Sequence, residues 1–474
     1  MTRMLFIQDL GYEHIGTMYL AAVLKEHNHY CDVFVDNLEV NLIEKAKASK
    51  PDLVGFSVIT GSQQWCLDMA QKIKAAVNCK IIFGGPHATH FPDIIKYEQV
   101  DYVCRGEGEY ALLELVEAIQ ENKDTTAIRN IWCKKEGRII KNEVRELIDN
   151  LDALPFPDRS IYYKYSNIGR MPQKRFMATR GCPYSCSFCF NHALRQIYRD
   201  KGKYIRIRSV ENVINEIICL RNSYPLKTVY FDDDTFILDH DWIFAFLREY
   251  REKVKLPFIC LLRANLVTEK LIKEFKASGC KRVFFGVETG NERLRNELLE
   301  KGLSDKDIIN TAGLLHKYKI KFKTYNMLGL PDETIENAFE TLKLNIKIKT
   351  DYPWCSIFQP YPGTELGTYS IRKDYVSEDF SCNDIVPYYS RSMLIKKKDI
   401  KQIVNLQRFF VAGIKFPFLI PLIKKLIKLP ANIIFDFFFL LGYAYTYIGS
   451  EHISILNSFT EGTRSIKRLY FLKR

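Results

Sequence analysis

Three cysteines that could bind a metal stand within one short stretch, Arg180-Gly181-Cys182-Pro183-Tyr184-Ser185-Cys186-Ser187-Phe188-Cys189-Phe190-Asn191. The C-x3-C-x2-C spacing of Cys182, Cys186 and Cys189, directly after a predicted strand, lets a tight loop point three thiolates at one centre. Thiolates are soft ligands, and they select iron-sulfur clusters, zinc or copper(I). A structural zinc site usually needs a fourth cysteine or histidine, and no second C-x2-C lies at zinc-ribbon distance. The spacing therefore favours a [4Fe-4S] cluster with one iron left open over a zinc knuckle or three unrelated cysteines.

Short apolar segments alternate with helical patterns over residues 1–142, which predicts an α/β domain with a doubly wound, flavodoxin-like parallel sheet. The predicted strands are Met4–Ile7, Cys31–Val35, Leu53–Val58, Lys80–Phe83 and Asp101–Cys104. In such a sheet the ligand lies beyond the carboxyl ends of the strands, at the topological switch point. No G-x-G-x-x-G follows the first strand, which argues against a dinucleotide. Flexible loops at Asp9–Gly16, Thr60–Ser62 and Gly84–Thr89 would let the backbone approach a large flat ligand.

Residues 143–174 are predicted to be a linker, because Leu151–Arg159 contains two prolines and has neither a helical nor a strand period. From residue 175 to 393, six strand candidates alternate with helices. They are Phe176–Thr179, Thr228–Phe231, Phe258–Leu262, Arg282–Val287, Lys321–Met327 and Ser356–Gln359. Six β/α units predict a partial (β/α)6 barrel, with functional residues at the carboxyl ends of its strands.

The cysteine loop and the strand ends together resemble those of the radical S-adenosylmethionine (SAM) enzymes. In that family the open iron binds the amino and carboxylate groups of SAM, and an electron from the cluster cleaves SAM to a 5′-deoxyadenosyl radical. The resemblance implies that Cys182, Cys186 and Cys189 are catalytic and hold the cluster. It also implies SAM contacts at Phe188, Asp232, Asp233, Asp234, Arg263, Glu288, Tyr325, Met327 and Leu328.

Four of the predicted SAM residues have other possible roles. The three consecutive aspartates could hold magnesium, with Asp239 and Asp241 as a weak second cluster. Arg263 could pair with the SAM carboxylate, because a guanidinium suits bidentate recognition, or it could form a salt bridge at the barrel rim.

The first region resembles the cobalamin-binding domain that precedes many radical SAM domains, through the segments His14–Ala21, Gly84–His87 and Arg105–Glu109. The resemblance implies cobalamin contacts at His14, Gly16, Ser57, Thr60, Gly61, Ser62, Gly84, Gly85, Pro86, His87, Gly106 and Glu107. The D-x-H-x-x-G motif that supplies an axial histidine to cobalt in many cobalamin proteins is absent. This departure suggests base-off cobalamin without a histidine ligand, or a domain that has lost the cofactor.

Most of the net charge of +13 lies in the predicted tail, residues 394–474. From Lys396 to Arg474 there are fourteen Lys and Arg against four Asp and Glu, a net charge of +10. Lys415–Lys428 alternates basic and apolar residues, and Ile433–Ile448 is almost wholly apolar but contains Asp436. The apolar segment is shorter than the roughly 20 residues of a typical membrane span. The tail therefore favours interfacial helices on an anionic membrane surface rather than nucleic acid. A helical cap over the barrel mouth is one alternative, and a single transmembrane span is another.

The 13 cysteines are odd in number and scattered, without a disulfide framework. No cleavable signal peptide is predicted, because Met1–Leu10 is short and carries Asp9. These features predict a cytoplasmic protein, with a peripheral position on the cytoplasmic membrane as an option. An exposed [4Fe-4S] site would also require anaerobic conditions.

The resemblance to the cobalamin-binding radical SAM family covers roughly the first 390 residues. This family includes methyltransferases and the anaerobic magnesium-protoporphyrin cyclase. The resemblance implies an enzyme that methylates an unactivated carbon of an apolar or lipid-like substrate, with an external electron donor such as flavodoxin or ferredoxin and no nucleic acid. One alternative is radical cyclisation, ring contraction or carbon-carbon bond formation without methyl transfer. Another is a non-catalytic, membrane-associated cobalamin-binding protein.

Overall fold

A computed structural model describes residues 1–385, 391–394 and 396–451. The chain forms two compact units. The first contains Met1–Pro183 and Phe190–Lys227, and the second contains Tyr184–Cys189 and the chain from Thr228 onward. Cys182 thus belongs to the first unit, and the other two cysteines of the motif belong to the second. Residues 386–390, 395 and 452–474, which fall within the predicted barrel and tail, lie outside the described residues.

The first unit is built from short strands and helices in alternation. Its strands are β1 Arg3–Gln8, β2 Tyr30–Val35, β3 Leu53–Ser57, β4 Lys80–Gly84, β5 Tyr102–Cys104, β6 Ile131–Lys135, β7 Arg138–Lys141, β8 Gln173–Phe176, β9 Thr179–Arg180 and β10 Arg206–Ile207. Its helices are α1 Ile15–Glu26, α2 Leu42–Ser49, α3 Gln63–Ala76, α4 Gly85–His90, α5 Glu109–Gln120, α6 Ser160–Tyr163, α7 Ser166–Gly169, α8 Phe190–Ile197 and α9 Val210–Ser223.

The main sheet of the first unit has the strand order β2-β1-β3-β4-β5-β6-β7. Its first five strands run parallel, and β6 and β7 form an antiparallel hairpin at one edge. Glu136 and Gly137, with φ of 51° and 74°, make the left-handed turn that joins the hairpin. The chain leaves β1 toward β2 on one side and continues through β3 on the other, so the switch point lies between β1 and β3. The predicted doubly wound sheet is confirmed.

The segment predicted as a linker is mostly packed within the first unit. It contains α6 and α7, and Leu151, Ile161 and Tyr162 are buried. The Tyr162 hydroxyl donates to Oε1 of Gln8 at 2.6 Å, which ties the segment to the end of β1. The two prolines shorten the helices here, but they do not leave the chain without a core.

The second unit alternates strands with longer helices. Its strands are β11 Thr228–Phe231, β12 Phe258–Leu261, β13 Cys280–Glu288, β14 Lys321–Leu328 and β15 Tyr352–Ile357. Its helices are α10 His240–Glu249, α11 Glu269–Ala277, α12 Asp305–Lys317, α13 Ile335–Lys347, α14 Glu365–Arg372, α15 Ile400–Lys415, α16 Ile420–Leu426 and α17 Ile433–Glu451.

The strands of the second unit form a parallel sheet in the order β15-β14-β13-β12-β11. Helices α10 to α13 connect successive strands. The strands β11 and β12 are nearly continuous runs of apolar residues, as buried parallel strands usually are, whereas β14 carries the buried polar residues Lys323, Thr324 and Asn326. Ser304 begins α12 with a capping box: its hydroxyl accepts from the Asp307 amide, and the Asp307 carboxylate accepts from the Ser304 amide.

Two predicted barrel strands were placed wrongly. Instead of Phe176–Thr179, the structure has β8 before that segment and the short β9, which pairs antiparallel with β10. The buried Lys174 interrupts the apolar pattern of β8, and its ammonium group donates to the carbonyls of Ile168 and Gly169. The sixth strand begins at Tyr352 and not at Ser356, and it contains Pro353. Within this unit β15 has only β14 as a neighbour, and such an edge strand tolerates proline.

The C-terminal extension is helical, as predicted, and packs on the second unit. Ile403, Leu406 and Phe410 of α15 share one buried cluster with Leu328 of β14 and Leu342 of α13. Residues from α16 and α17 join the same cluster. One side of the described tail therefore belongs to the core of this unit.

Candidate functional site

The segment Tyr184–Cys189 carries two of the predicted cluster ligands, and hydrogen bonds fix it within the second unit. The Ser187 amide donates to the Leu299 carbonyl at 3.1 Å, and the Ser187 hydroxyl donates to the Leu298 carbonyl at 2.6 Å. The Ser187 carbonyl accepts from the Leu366 amide at 2.9 Å. The loop is thus attached both to the chain after β13 and to the start of α14.

Arg263, at the end of β12, lies against this loop. Its guanidinium stacks over the Tyr184 ring, 3.6 Å from the centroid, and Nη1 lies 4.0 Å from Sγ of Cys186. Its other nitrogens donate to the Asn265 side chain at 2.9 Å and to the Gly302 carbonyl at 3.4 Å. No carboxylate within the described residues pairs with Arg263, so the barrel-rim salt bridge gains no support. Arg263 therefore places a fixed positive charge beside the sulfur atom of one predicted cluster ligand.

Phe188 packs against a buried cluster that includes Leu299 and Leu366. Met327 of β14 packs against the same cluster. Side chains alternate along a strand, so Leu328 points to the opposite face, where it is buried among the tail helices. A SAM contact at Leu328 would therefore have to use its backbone. Tyr325 packs on a third cluster beside Phe284, with the ring centroids 6.2 Å apart.

Glu288 ends β13 with a left-handed backbone, φ 65°, at a shift in the strand register. Its carboxylate is buried and pairs with Nζ of Lys301 at 2.8 Å. A Cβ on Gly286 would collide with this carboxylate, so the glycine leaves the space into which Glu288 folds back. The Lys301 ammonium group also lies 5.9 Å from the centre of the Phe188 ring. Strained non-glycine residues of this kind cluster at ligand sites, and sequence reasoning missed the partner Lys301.

The aspartates after β11 differ in exposure. Asp233 is buried, Asp232 is half-buried and Asp234 is exposed. Asp239 caps α10 by accepting from the Trp242 amide at 2.9 Å. Across the part of the chain that the structure describes, no three His, Cys, Asp or Glu side chains converge on a single metal ion. The magnesium interpretation therefore gains no support, whereas the thiolates of a [4Fe-4S] cluster each bind their own iron and need not converge in this way.

Arg180, two residues before Cys182, is held by a network of charges within the first unit. Its guanidinium pairs with Glu107 at 3.0 Å and with Glu109 at 2.6 Å. Glu107 also pairs with Arg206 at 2.9 Å and accepts from the Ile148 amide at 3.0 Å. Burial alone would raise the pKa of Glu107, but the hydrogen bonds from Arg206 and the charge of Arg180 lower it overall. Sequence reasoning placed Glu107 at cobalamin and missed this network.

Gly181 provides a sharp turn between Arg180 and Cys182. Its φ is 90°, and a Cβ there would collide with the Tyr204 carbonyl. We expect Gly181→Ala to lower the free energy of unfolding by about 3 kcal/mol and to reduce the iron content, because the backbone must move. Gly137→Ala is the control, since Gly137 also has a positive φ but open space around its Cβ position, and it should cost about 1 kcal/mol. Urea unfolding and iron analysis measure both, and equal effects of the two changes would contradict the prediction.

Several predicted cobalamin positions follow the ends of β1 and β3, beside the switch point. His14 precedes α1, and its Nε2 atom is buried without a hydrogen-bond partner among the described residues. Burial lowers the pKa of His14 to about 4, so the imidazole is neutral at pH 7. A neutral imidazole is able to bind a metal or to accept a hydrogen bond. A Cβ on Gly16 would meet nothing within 4 Å. A buried imidazole nitrogen without a partner at the end of β1 fits a bound ligand.

The loops after β3 and β4 contact each other closely. Gly85 has φ 84°, and its Cβ would lie 3.0 Å from the Val58 amide nitrogen, so the two backbones approach here. The ring nitrogen Nδ1 of His87 lies 3.1 Å from the Thr60 hydroxyl, and burial lowers the pKa of His87 to about 4. Gly61 also has a positive φ, 100°. Ser57 and Gly84 are the last residues of β3 and β4, Ser62 precedes α3, and Pro86 lies in the first turn of α4. The surroundings fit a flat ligand that approaches the backbone.

Gly106 and Glu107, after β5, make close contacts with other residues of the first unit. A Cβ on Gly106 would collide with the Tyr198 hydroxyl, which accepts from the Glu107 amide at 2.7 Å. The Glu107 carboxylate is occupied by the Arg180 and Arg206 network described above. The assignment of both residues to cobalamin stays a prediction. In the structure, Gly106 makes room for Tyr198, and Glu107 pairs with Arg180 and Arg206.

Glu333, in the turn after β14, gives the second unit a dependence on pH. Burial raises its pKa to about 7, although the amides of Gly329 and Leu330 donate to it and Lys397 lies nearby. The pKa of Glu333 in the folded chain lies above its ordinary value of 4.5, so the folded chain binds the proton more tightly than the unfolded chain does. The stability that this proton contributes is complete below pH 4.5 and is lost as pH rises through 7. We expect Glu333→Gln to raise the free energy of unfolding by up to about 3 kcal/mol at pH 8 and by little at pH 5. Urea unfolding at both pH values measures the difference, and the same effect at both would refute it.

Comparison with known proteins agrees with this geometry. Residues 177–344 match the radical SAM superfamily, and residues 10–116 match the B12 binding domain. An uncharacterised methyltransferase of Pyrococcus horikoshii is 32% identical over 366 residues, which cover 75% of this chain and 78% of the relative. The chain belongs to the cobalamin-binding radical SAM family. It is therefore an enzyme, and its cofactors are a [4Fe-4S] cluster, SAM and cobalamin.

Two further relatives show the range of this radical SAM family. The anaerobic magnesium-protoporphyrin IX monomethyl ester cyclase of Rubrivivax gelatinosus is 26% identical over 428 residues, covering 84% of this chain and 74% of the cyclase. The solved structure of the radical SAM methyltransferase TsrM from Kitasatospora setae superposes with a TM-score of 0.66 at 17% identity, covering 79% of this chain and 76% of that one. This structural likeness establishes the shared fold. The alternative of a non-catalytic protein is set aside by the radical SAM family match and by the methyltransferase of Pyrococcus horikoshii.

Proposed function

We propose that this enzyme transfers a methyl group to an unactivated carbon of an apolar or lipid-like small molecule. Cys182, Cys186 and Cys189 hold the [4Fe-4S] cluster, and the residues at the ends of β11 to β14 hold SAM. The loops after β1, β3 and β4 hold cobalamin. Radical cleavage of SAM and delivery of the methyl group are the chemistry that these groups supply when bound.

In this proposal Arg263 and the Glu288–Lys301 pair orient SAM. The guanidinium of Arg263 lies beside Sγ of Cys186, where it is able to meet a carboxylate bound at the open iron. Glu288 is buried and held by Lys301, so its carboxylate is a fixed acceptor for ribose hydroxyls. Phe188 and Met327 form an apolar wall that keeps water from the reacting centre.

The observation that carries the proposal is the attachment of the segment Tyr184–Cys189 beside Arg263. Ser187 anchors the loop through three hydrogen bonds, and the guanidinium stacks on Tyr184. A loop that merely connected two elements would not need a buried cation against its sulfur atom. This arrangement supports a loop whose cysteines would hold a cluster, with Arg263 beside one of them.

An anaerobic product assay tests the proposal. The protein is reconstituted with iron, sulfide and hydroxocobalamin and supplied with SAM and a reductant. 5′-Deoxyadenosine and S-adenosylhomocysteine are then measured by mass spectrometry. Both products, with S-adenosylhomocysteine dependent on cobalamin, would support methyl transfer. S-adenosylhomocysteine that forms equally without cobalamin would refute it.

Radical cyclisation or carbon-carbon bond formation without methyl transfer is the second candidate. It is favoured by the similarity to the cyclase of Rubrivivax gelatinosus over 84% of this chain. In the same assay this reaction would yield 5′-deoxyadenosine without S-adenosylhomocysteine. The ratio of the two products therefore separates the candidates.

The proposal includes an anaerobic, cytoplasmic location and an external electron donor such as flavodoxin or ferredoxin. It also includes a peripheral position on the cytoplasmic membrane, where an apolar substrate would be concentrated. One described helix, within Ile433–Ser450, is long and apolar enough to cross a membrane, which is weak evidence by itself.

A further inference from the structure

The C-terminal helices leave an unusual number of large apolar side chains exposed. Along α17, Ile433, Phe437, Leu441 and Tyr445 recur every four residues and therefore share one face. Phe418, just before α16, is 77% exposed, and Ile433 is 71% exposed. Phe416, Leu422, Leu429, Ile434 and Phe438 are also exposed. Exposed apolar side chains in this number mark an interaction surface more often than an ordinary solvated surface.

The opposite face of α17 is fixed to the second unit through small residues. A Cβ on Gly442 would lie 3.0 Å from Val411 of α15, so the two helices pack closely. The Thr446 hydroxyl donates to the Pro353 carbonyl at 3.1 Å. Near the end of the helix, the Ser450 carbonyl accepts from Arg282 at 3.0 Å. The helix therefore has one packed face and one exposed apolar face.

An ion pair fixes the beginning of α17. Nε of Arg408 on α15 lies 2.9 Å from Oδ1 of Asp436. With Arg408 at one end and Arg282 at the other, the helix is held along its length against the rest of the unit. A helix of 19 residues is about 28 Å long, close to the thickness of a bilayer, so its length alone would permit a span. A span would require both attachments to break and would place Asp436 within hydrocarbon.

Positive charge lies among the exposed apolar side chains of α16. Lys424, Lys425 and Lys428 are exposed on and just after α16, between the exposed Leu422 and Leu429. Lysines that flank an apolar surface are the arrangement by which interfacial helices meet anionic headgroups. The charge excess of the tail has the sign that such a surface attracts.

We propose that the exposed face of α16 and α17 docks on a membrane surface that contains anionic lipid, with α17 lying parallel to the membrane plane. The aromatic and aliphatic side chains enter the boundary between headgroups and acyl chains, and the three lysines contact phosphate groups. This membrane surface extends the proposed function. It rests on that function only through the apolar nature of the proposed substrate. Binding itself depends on the surface alone.

Vesicle co-sedimentation of the full chain tests the surface. Vesicles of phosphatidylcholine with phosphatidylglycerol should bind the protein, more weakly at high salt, and vesicles of phosphatidylcholine alone should bind it poorly. Phe418→Asp should weaken binding about tenfold or more, and the double change Lys424→Glu/Lys425→Glu should weaken binding to anionic vesicles at least about tenfold. The matched controls are Val40→Asp and Lys47→Glu/Lys72→Glu, at exposed positions of the first unit, and they should bind as the wild type does.

The orientation of α17 is tested with tryptophan probes. Ile433→Trp and Tyr445→Trp place probes about 18 Å apart along the helix axis. In a helix parallel to the membrane, lipids brominated at one depth should quench both probes equally relative to wild type. A spanning helix would place the probes at different depths, and unequal quenching would overturn the parallel orientation.

Other outcomes would overturn the lipid surface itself. Absence of binding to anionic vesicles at low salt is one. Self-association of the wild type that Phe418→Asp abolishes, without any vesicle binding, would identify a second copy of the chain as the occupant. Formation of 5′-deoxyadenosine by Phe418→Asp should match that of the wild type. Failure of the membrane proposal is thereby distinguished from failure of the radical chemistry.

Discussion

Replacement of Cys186 by alanine should abolish both cluster binding and SAM cleavage. Cys186 is buried, and its sulfur faces the Arg263 guanidinium at 4.0 Å, in a loop that Ser187 fixes to the second unit. Removal of one of three thiolates leaves an iron without its protein ligand, and no histidine or carboxylate within the described residues completes a metal site there. We expect iron and sulfide content to fall to background after anaerobic reconstitution, and formation of 5′-deoxyadenosine with it.

The matched control is Cys219→Ala. Cys219 is an exposed cysteine on α9, so its loss removes a thiol without a change in the cluster loop. It should keep wild-type iron content and SAM cleavage. Circular dichroism establishes that both variants are folded. Cys186→Ala with a full iron complement and normal 5′-deoxyadenosine would remove this cysteine from the proposed cluster site.

Much of the fold could be predicted because parallel strands buried on both faces are nearly continuous apolar segments. Thr228–Phe231 was predicted with the bounds that β11 has. The bounds of β8 and β15 were predicted wrongly because one residue in each strand interrupts the apolar pattern. Only the tertiary structure shows why that residue is tolerated there. Lys174 is tolerated in β8 because two carbonyls accept from its ammonium group. Pro353 is tolerated in β15 because that strand is an edge of the sheet in its unit.

In the candidate site, too, some residues could be predicted from the sequence and others could not. The three cysteines could be found from spacing because cluster ligands on one loop lie close together in sequence. Their supporting residues could not, because Arg180 meets Glu107 across 73 residues and Glu109 across 71. Lys301 meets Glu288 across 13 residues, at a strand end whose left-handed backbone has no sequence signal in a glutamate. Pairing at such distances is fixed by packing, and a single sequence carries no direct record of it.

Arg180→Ala should destabilise the first unit by about 3–5 kcal/mol, the largest stability effect that we expect. Arg180 pairs with Glu109, which is buried, and with Glu107, which keeps Arg206 as a second partner. Removal of the guanidinium leaves the Glu109 carboxylate buried without its partner cation, and burial of an unpaired charge is far more costly than the net gain from a surface ion pair. Urea unfolding at pH 7.5 measures the loss. Arg129→Ala, which removes an exposed pair with Glu146, should cost no more than about 1 kcal/mol.

A double-mutant cycle separates loss of the ion pair from loss of packing. If the cost of Arg180→Ala comes from the stranded carboxylate, then addition of Glu109→Gln should recover a large part of it, because a neutral amide is less costly to bury than an unpaired carboxylate. Additive effects of the two changes would instead place the cost in lost contacts, such as the stacking of Arg180 on Tyr19 at 5.2 Å. Iron content of the same variants adds a functional measure. Arg180 stands two residues before Cys182. If its ion-pair network positions that cysteine, the double variant Arg180→Ala/Glu109→Gln should also bind more iron than Arg180→Ala alone.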